Sequence, residues 1–337
     1  MYFFQERLVE YAIAYFNARD FTRPEEGDQF WGLFAPGNTV PVFDRPFERF
    51  SDYEELLRRL MGADPAKYQR MHKGTPFYYI SWLAFDLRNY EKALFFLDAS
   101  ISEDVRKDPA GWRDNPGARS LLLDPEGQAA LRTIDAVRSV LQAELTRFNG
   151  ISNLAPLDIQ ASWGPFVRQL LADQNQRTLI SAMYVFLLES RDRWQELSLR
   201  QGSTGGSNQP FTVHLFTGGL LFESLLKYCY PVNDQGQQNK TLGGILQYTV
   251  GFKTDFAVPG GIAGNAGSLA EIHAAIQGSS SVETAFATAA KLRNTTGHNL
   301  VWDDIFATPS QYADLFQQLV NALLFVVALK FTGPAAP

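Results

Sequence analysis

The 337-residue chain reads as an all-α protein in two parts. Three observations predict this. Long stretches repeat apolar residues at three- and four-residue spacing, most clearly 126–148, where Leu131, Ile134, Val137, Val140, Leu141 and Leu145 form one stripe. No β-branched strands alternate with helices, which argues against a dinucleotide-binding α/β domain. The length, at about 100–200 residues per domain, suits two domains. We expect a helical domain over 1–170, regulatory or partner-binding, and a second helical domain over 175–337.

Taken in order, residues 2–19 place Phe3, Leu8, Tyr11, Ala12 and Tyr15 at helical spacing. Residues 21–48 carry several Pro and Gly residues and read as an irregular surface segment. Ser51 and Asp52, followed by Glu54 and Glu55, mark a helix start. From Pro76 to Glu103 two helical patterns meet at Arg88-Asn89-Tyr90, with Ala93 and Ala99 as small positions for close packing. This resembles one tetratricopeptide-type hairpin; a solenoid needs about three such units, so a single αα-hairpin is the reading. Lys107 to Pro125 is rich in Pro, Gly, Asp and Arg and reads as loop. Residues 165–199 form a long helix or a helix pair. A Gly/Ser tract at 201–209 is either a domain linker or a long loop inside the second domain. Beyond it, helices are expected over 211–230, 241–250, 268–277, 281–296 and 309–331.

Composition narrows the function classes. Apolar residues at 45% and charged residues at 20% allow real cores and exclude disorder. The net charge of −6 argues against a protein that coats nucleic acid non-specifically, while leaving room for one local phosphate site. No transmembrane span is expected: the most apolar stretch, 322–329, is far short of the roughly 20 residues a bilayer needs. The N-terminus places acids and an arginine where an export signal needs an apolar run. A single cysteine, Cys229, excludes an internal disulfide and fits a reducing cytoplasm.

The segment that carries chemistry is Lys291-Leu292-Arg293-Asn294-Thr295-Thr296-Gly297-His298. Arg293 is the solitary arginine of residues 201–337. On an unbroken helix Arg293 and His298 differ by about 140° in azimuth. Gly297 near the helix end allows a left-handed turn that swings His298 back beside the arginine. A guanidinium suits bidentate contact to phosphate, and an imidazole titrates near neutrality. An ordinary helix C-terminus, where cations complement the dipole, is the plainer reading of the same residues.

In these residues the chain resembles the HEPN family, the higher-eukaryote and prokaryote nucleotide-binding domains, whose signature is R-x4–6-H with Asn, Asp or His favoured after the arginine. Arg293-Asn294 with His298 matches both parts. The surrounding order matches too: an apolar helix with an acid (Glu223), a TLGGIL segment, the motif helix and a closing apolar helix. The resemblance covers about 175–332 and implies a HEPN-type helical bundle. It also implies pairing into a homodimer through the C-terminal domain, with two motifs facing one cleft. The activity implied is metal-independent endoribonuclease cleavage of RNA in antiviral defence or as a toxin, without a cofactor or metal. Arg293, His298 and Asn294 would be catalytic; Lys291, Thr295 and Asn299 would bind substrate. Two departures stand out. Ala285 and Ala289 occupy positions where some family nucleases carry Glu and Lys, and Leu300 stands where modified toxins carry Tyr. A catalytically silent dimerisation or nucleotide-binding scaffold, recruiting a protein partner through its N-terminal helices, is the alternative. His214 and His273 read as structural, and the Gly-rich loop 258–268 lacks the Lys-Ser/Thr ending of a phosphate loop.

Overall fold

The computed structural model describes residues 6–33, 46–124, 131–200, 207–262, 281–296 and 309–332, with isolated positions 274 and 276. Among the described residues there are helices, turns and one isolated β-bridge, Val232 to Gln238, and no strand. The all-α class therefore holds. The chain divides into two compact units, Met1–Asp135 and Ala136–Pro337.

The first unit begins with α1 (Glu6–Asn17) and α2 (Pro24–Gly32). The second of these falls in the segment expected to be irregular. Pro24 opens it with a preset φ, Glu25 and Glu26 suit its positive end, and Phe30 and Trp31 are buried. Helix α3 (Pro46–Ala63) starts at Pro46, earlier than Ser51-Asp52, because proline at the first turn suits its geometry and Asp52 lies on the buried face. A short α4 (Pro65–Arg70) is capped by Asp64, which accepts from Lys67 N at 2.9 Å.

The expected hairpin is α5 (Gly74–Asp86) and α6 (Tyr90–Lys107), packed along their lengths. Asn89 caps α6 by accepting from Lys92 N at 3.1 Å, and Ala93 is buried at the contact. The supposed loop after α6 contains a 3₁₀ turn (Trp112–Asp114) and α7 (Pro116–Leu121), with Trp112, Ala118 and Leu121 buried. Proline and glycine there start a short helix and allow close packing.

The second unit takes most of α8 (Leu131–Ile151), a π turn (Ile159–Trp163), α9 (Gly164–Leu171) and α10 (Gln174–Arg200). It continues through α11 (Gln209–Cys229), α12 (Leu242–Tyr248), α13 (Val250–Asp255), α14 (Val282–Thr296) and α15 (Pro309–Lys330). Helices α11, α14 and α15 pack on one another, and α10 joins α11 and α15. The division differs from the expected 170–175 because α8 and α9 bury their aromatics on α15 and its end: Phe148 meets Phe325 at 4.9 Å and Phe166 meets Phe331 at 4.8 Å. The Gly/Ser tract thus falls within the second unit and not between units; its residues 201–206 lie outside the described residues. The expected helix 268–277 also lies outside them, apart from 274 and 276.

Helix α15 corrects one expectation. By length and composition it is apolar enough to cross a membrane, and most of its apolar stretch is buried inside the unit. Gln318 and Asn321 are buried on it.

Candidate functional site

Arg293 occupies the last turn of α14 and lies against α11. The approach is possible because α11 carries glycine at 219. A Cβ there would stand 2.8 Å from Arg293 Cβ and 3.0 Å from its Cα and N, closer than real Cβ contacts reach. One turn further along α11, Glu223 accepts from Arg293 Nε at 2.5 Å through Oε2. Its other oxygen pairs with Lys227 Nζ at 2.7 Å. The Glu223 side chain is 5% exposed, whereas Arg293 is 33% and Lys227 37% exposed. A buried carboxylate thus anchors two cations whose side chains are each about one-third exposed, and two charges balance its desolvation better than one.

Among the described residues the guanidinium has one further acceptor. Arg293 Nη1 donates to Asn294 Oδ1 at 3.2 Å. Asn294 therefore orients the arginine in this structure. Lys291 is half-buried and sits two positions before Arg293 on a continuous helix, roughly 200° round the axis, so the two cations do not share a face. The side chain of Thr295, and His298 and Asn299 entirely, lie outside the described residues. Of the expected site residues, Arg293 and Asn294 are brought together. Glu223 was visible in the sequence only as an acid in an apolar helix. The spacing puts 219, 223 and 227 on one helix face, but it does not say which helix that face meets.

His214 is an interior group, as read. Its Nε2–H donates to the Phe186 carbonyl at 2.8 Å, and Nδ1 accepts from the Tyr312 hydroxyl at 2.8 Å. The ring stacks on Phe186 at 4.6 Å and lies near-parallel to Phe316 at 5.9 Å. Burial pushes its pKa down to about 3 despite the carbonyl partner, so it stays neutral and satisfied. His273 lies outside the described residues. Cys229 ends α11; burial pushes its thiol up to about 12, leaving it protonated and unreactive.

Among the described residues no group of three or more His, Cys, Asp or Glu side chains is arranged to hold a metal ion. Comparison of the chain with protein-family models, curated proteins and solved structures gave no match, so residue geometry alone carries the functional reading.

Proposed function

We propose that the second unit is a HEPN-type endoribonuclease acting on RNA in the cytoplasm in a defence or toxin role. The observation that carries this is Arg293: the solitary arginine of residues 201–337, fixed through Nε by a buried carboxylate, with its side chain one-third exposed at a helix end. A guanidinium held by one edge keeps its other donors for phosphate and loses little freedom on binding.

In the proposed reaction two copies pair, and their motifs share one cleft. One His298 takes the proton of an RNA 2′-hydroxyl; the oxygen attacks the adjacent phosphorus. His298 of the partner subunit protonates the departing 5′-oxygen. Arg293 stabilises the charge on the pentacoordinate phosphate. The products are a 2′,3′-cyclic phosphate and a 5′-hydroxyl, and the proton count balances without a metal.

The test uses purified full-length protein and end-labelled RNA with EDTA. Cleavage that persists with EDTA and disappears in His298→Ala and Arg293→Ala supports the reading. Arg293→Lys should stay strongly impaired, because an ammonium cannot make the planar two-point contact. Cleavage that survives in His298→Ala, or that EDTA abolishes, overturns it. The scaffold reading has its own support: Ala285 and Ala289 are fully buried in the core, so the extra acid and base of some family nucleases have no counterpart there. Folded, dimeric protein without cleavage would select it.

A further inference from the structure

The first unit holds a pocket of about 270 Å³ that the nuclease reading does not use. One wall is a stripe on α5, Thr75, Tyr78, Tyr79 and Trp82, at the spacing that places side chains on a single helix face. Trp82 meets Tyr78 at 4.8 Å and 73°, and Tyr79 at 5.2 Å and 70°, so the ring planes form the corner of a box. Ser100 and Asp104 of α6 also line it, and among the described lining residues there is no lysine or arginine. Small residues keep it open. Ser100 Oγ donates to the Gly74 carbonyl at 2.9 Å, and a Cβ on Gly117 would meet Ile101 Cγ1 at 3.0 Å.

A buried histidine stands beside the lining carboxylate. His72 is 4% exposed, and its carbonyl accepts from Trp31 Nε1 at 2.9 Å. Its Nδ1 meets Asp28 Oδ1 at 2.8 Å, and its Nε2 stands 3.3 Å from Asp104 Oδ1 without completing an aligned hydrogen bond. Gly74 permits this: a Cβ there would lie 2.9 Å from both His72 Nε2 and Asp104 Oδ1. Nearby cations are engaged elsewhere. Lys107 pairs with Asp28, and Lys73 and Arg106 pair with Glu103 and donate to carbonyls of residues 68–71. On α7, Arg119 binds Asp124 at 2.7 Å.

We propose that this pocket binds a small organic cation, an ammonium seated in the aromatic corner against Asp104. Perpendicular aromatic faces beside one buried carboxylate, without a competing base in the lining, attract a cation and give an anion nothing. The volume lies just below the roughly 300–1,000 Å³ of drug-sized sites, which selects a compact ligand. The site carries its own competitor. A proton on His72 and a cation in the pocket both draw on Asp104. Burial disfavours the imidazolium, but the close negative carboxylates of Asp104 and Asp28 outweigh it and raise the His72 pKa above its ordinary value. Cation binding therefore releases this proton and strengthens as pH rises through the His72 titration.

The experiment is calorimetric titration of the full chain with choline and with its uncharged carbon isostere, 3,3-dimethylbutan-1-ol. At about pH 8.5 choline should bind about tenfold or more tightly than the isostere, and it should weaken toward about pH 5.5. Asp104→Asn should lose about tenfold in affinity, and Tyr79→Leu should weaken choline more than the isostere. His72→Gln should bind choline with a flattened pH profile, a readout that a purely structural role would not move. If either variant melts early, the choline–isostere ratio and the pH profile of the parent protein still decide. Equal binding of the two probes, absence of heat from choline up to about 50 mM, or tighter choline binding at acid pH overturns the proposal.

Discussion

Replacing Gly219 by alanine tests whether the α11–α14 contact sets the position of Arg293. The added Cβ would meet Arg293 Cβ at 2.8 Å and its Cα and N at 3.0 Å. Two of these three are backbone atoms, so no side-chain rotation relieves the clash. Restoring ordinary carbon contacts of about 3.5–4.0 Å requires one helix to move by roughly 0.5–1 Å. Overpacking of this kind costs about 1–3 kcal/mol, and alanine regains up to about 1 kcal/mol through its helix propensity. The net expectation is a loss of about 1–2 kcal/mol, read as a lower urea midpoint at an unchanged slope. Gly243→Ala in α12 is the matched control: nothing lies within 4 Å of its Cβ position, so stability should hold or rise slightly. In the nuclease reading a 1 Å shift of the arginine also depresses cleavage by as much as about a hundredfold. A Gly219→Ala protein as stable as the parent would refute the close-contact argument.

Three more outcomes are expected. His214 is neutral in the fold, with its pKa pushed down to about 3 from an unfolded value near 6.5. Its contribution is therefore present above about pH 6.5 and lost as pH falls from there toward 3, about 2 kcal/mol by about pH 5. NMR of the imidazole should show no titration between about pH 8 and pH 4.5, and a midpoint near 6.5 would defeat the assignment. Glu223→Gln removes the charge that Arg293 and Lys227 share; discounting for the exposure of both cations, it should cost about 1–2 kcal/mol in chemical denaturation, and an unchanged midpoint would mean the pairs contribute nothing net. Ala257 has φ 54° at the end of α13, so Ala257→Gly should raise stability by up to about 1 kcal/mol in thermal melts; a lower melting temperature would count against this.

Ala257 also shows why some helix ends were illegible. Val258 N donates to Lys253 O and Ala257 N to Thr254 O, the paired bonds of a Schellman motif. The same pair closes α5 around Arg88 and α7 around Leu123, each with positive φ. Glycine usually signals that position, and these three residues carry no such signal. Long helices were legible because α8 and α10 bury periodic apolar faces over many turns. Helices α2 and α7 were not: Pro24, Gly27, Pro116 and Gly117 read as punctuation, while the structure uses the prolines at first turns and the glycines for close contact. The unit boundary followed burial and not composition, since the partners of α8 and α9 lie on α15, far along the chain. At the candidate site, the arginine was legible from its isolation. Its anchor was not, because an acid among apolar residues does not announce which helix it faces.

That anchor follows from how α11 divides its surface. Residues 214 and 218 face one way: His214 bonds the Phe186 carbonyl and Tyr312, while a Cβ on Gly218 would meet Phe186 Cζ at 2.6 Å and Leu319 Cδ1 at 2.8 Å. Residues 219, 223 and 227 face another way, where Gly219 admits the Arg293 backbone and Glu223 binds its guanidinium. Adjacent glycines on adjacent stripes thus let α11 approach two neighbours closely at the same level. The first contact is satisfied entirely inside the core and tolerates no charge. The second ends in a carboxylate whose two cations reach solvent. Because one rigid helix carries both, packing that disturbs the His214 side should also displace Arg293. Tyr312→Phe, which removes the hydroxyl from His214 Nδ1, offers a direct probe of that coupling: its cost should add to that of Glu223→Gln if the two faces are independent and should deviate by more than about 0.5 kcal/mol if α11 transmits the strain.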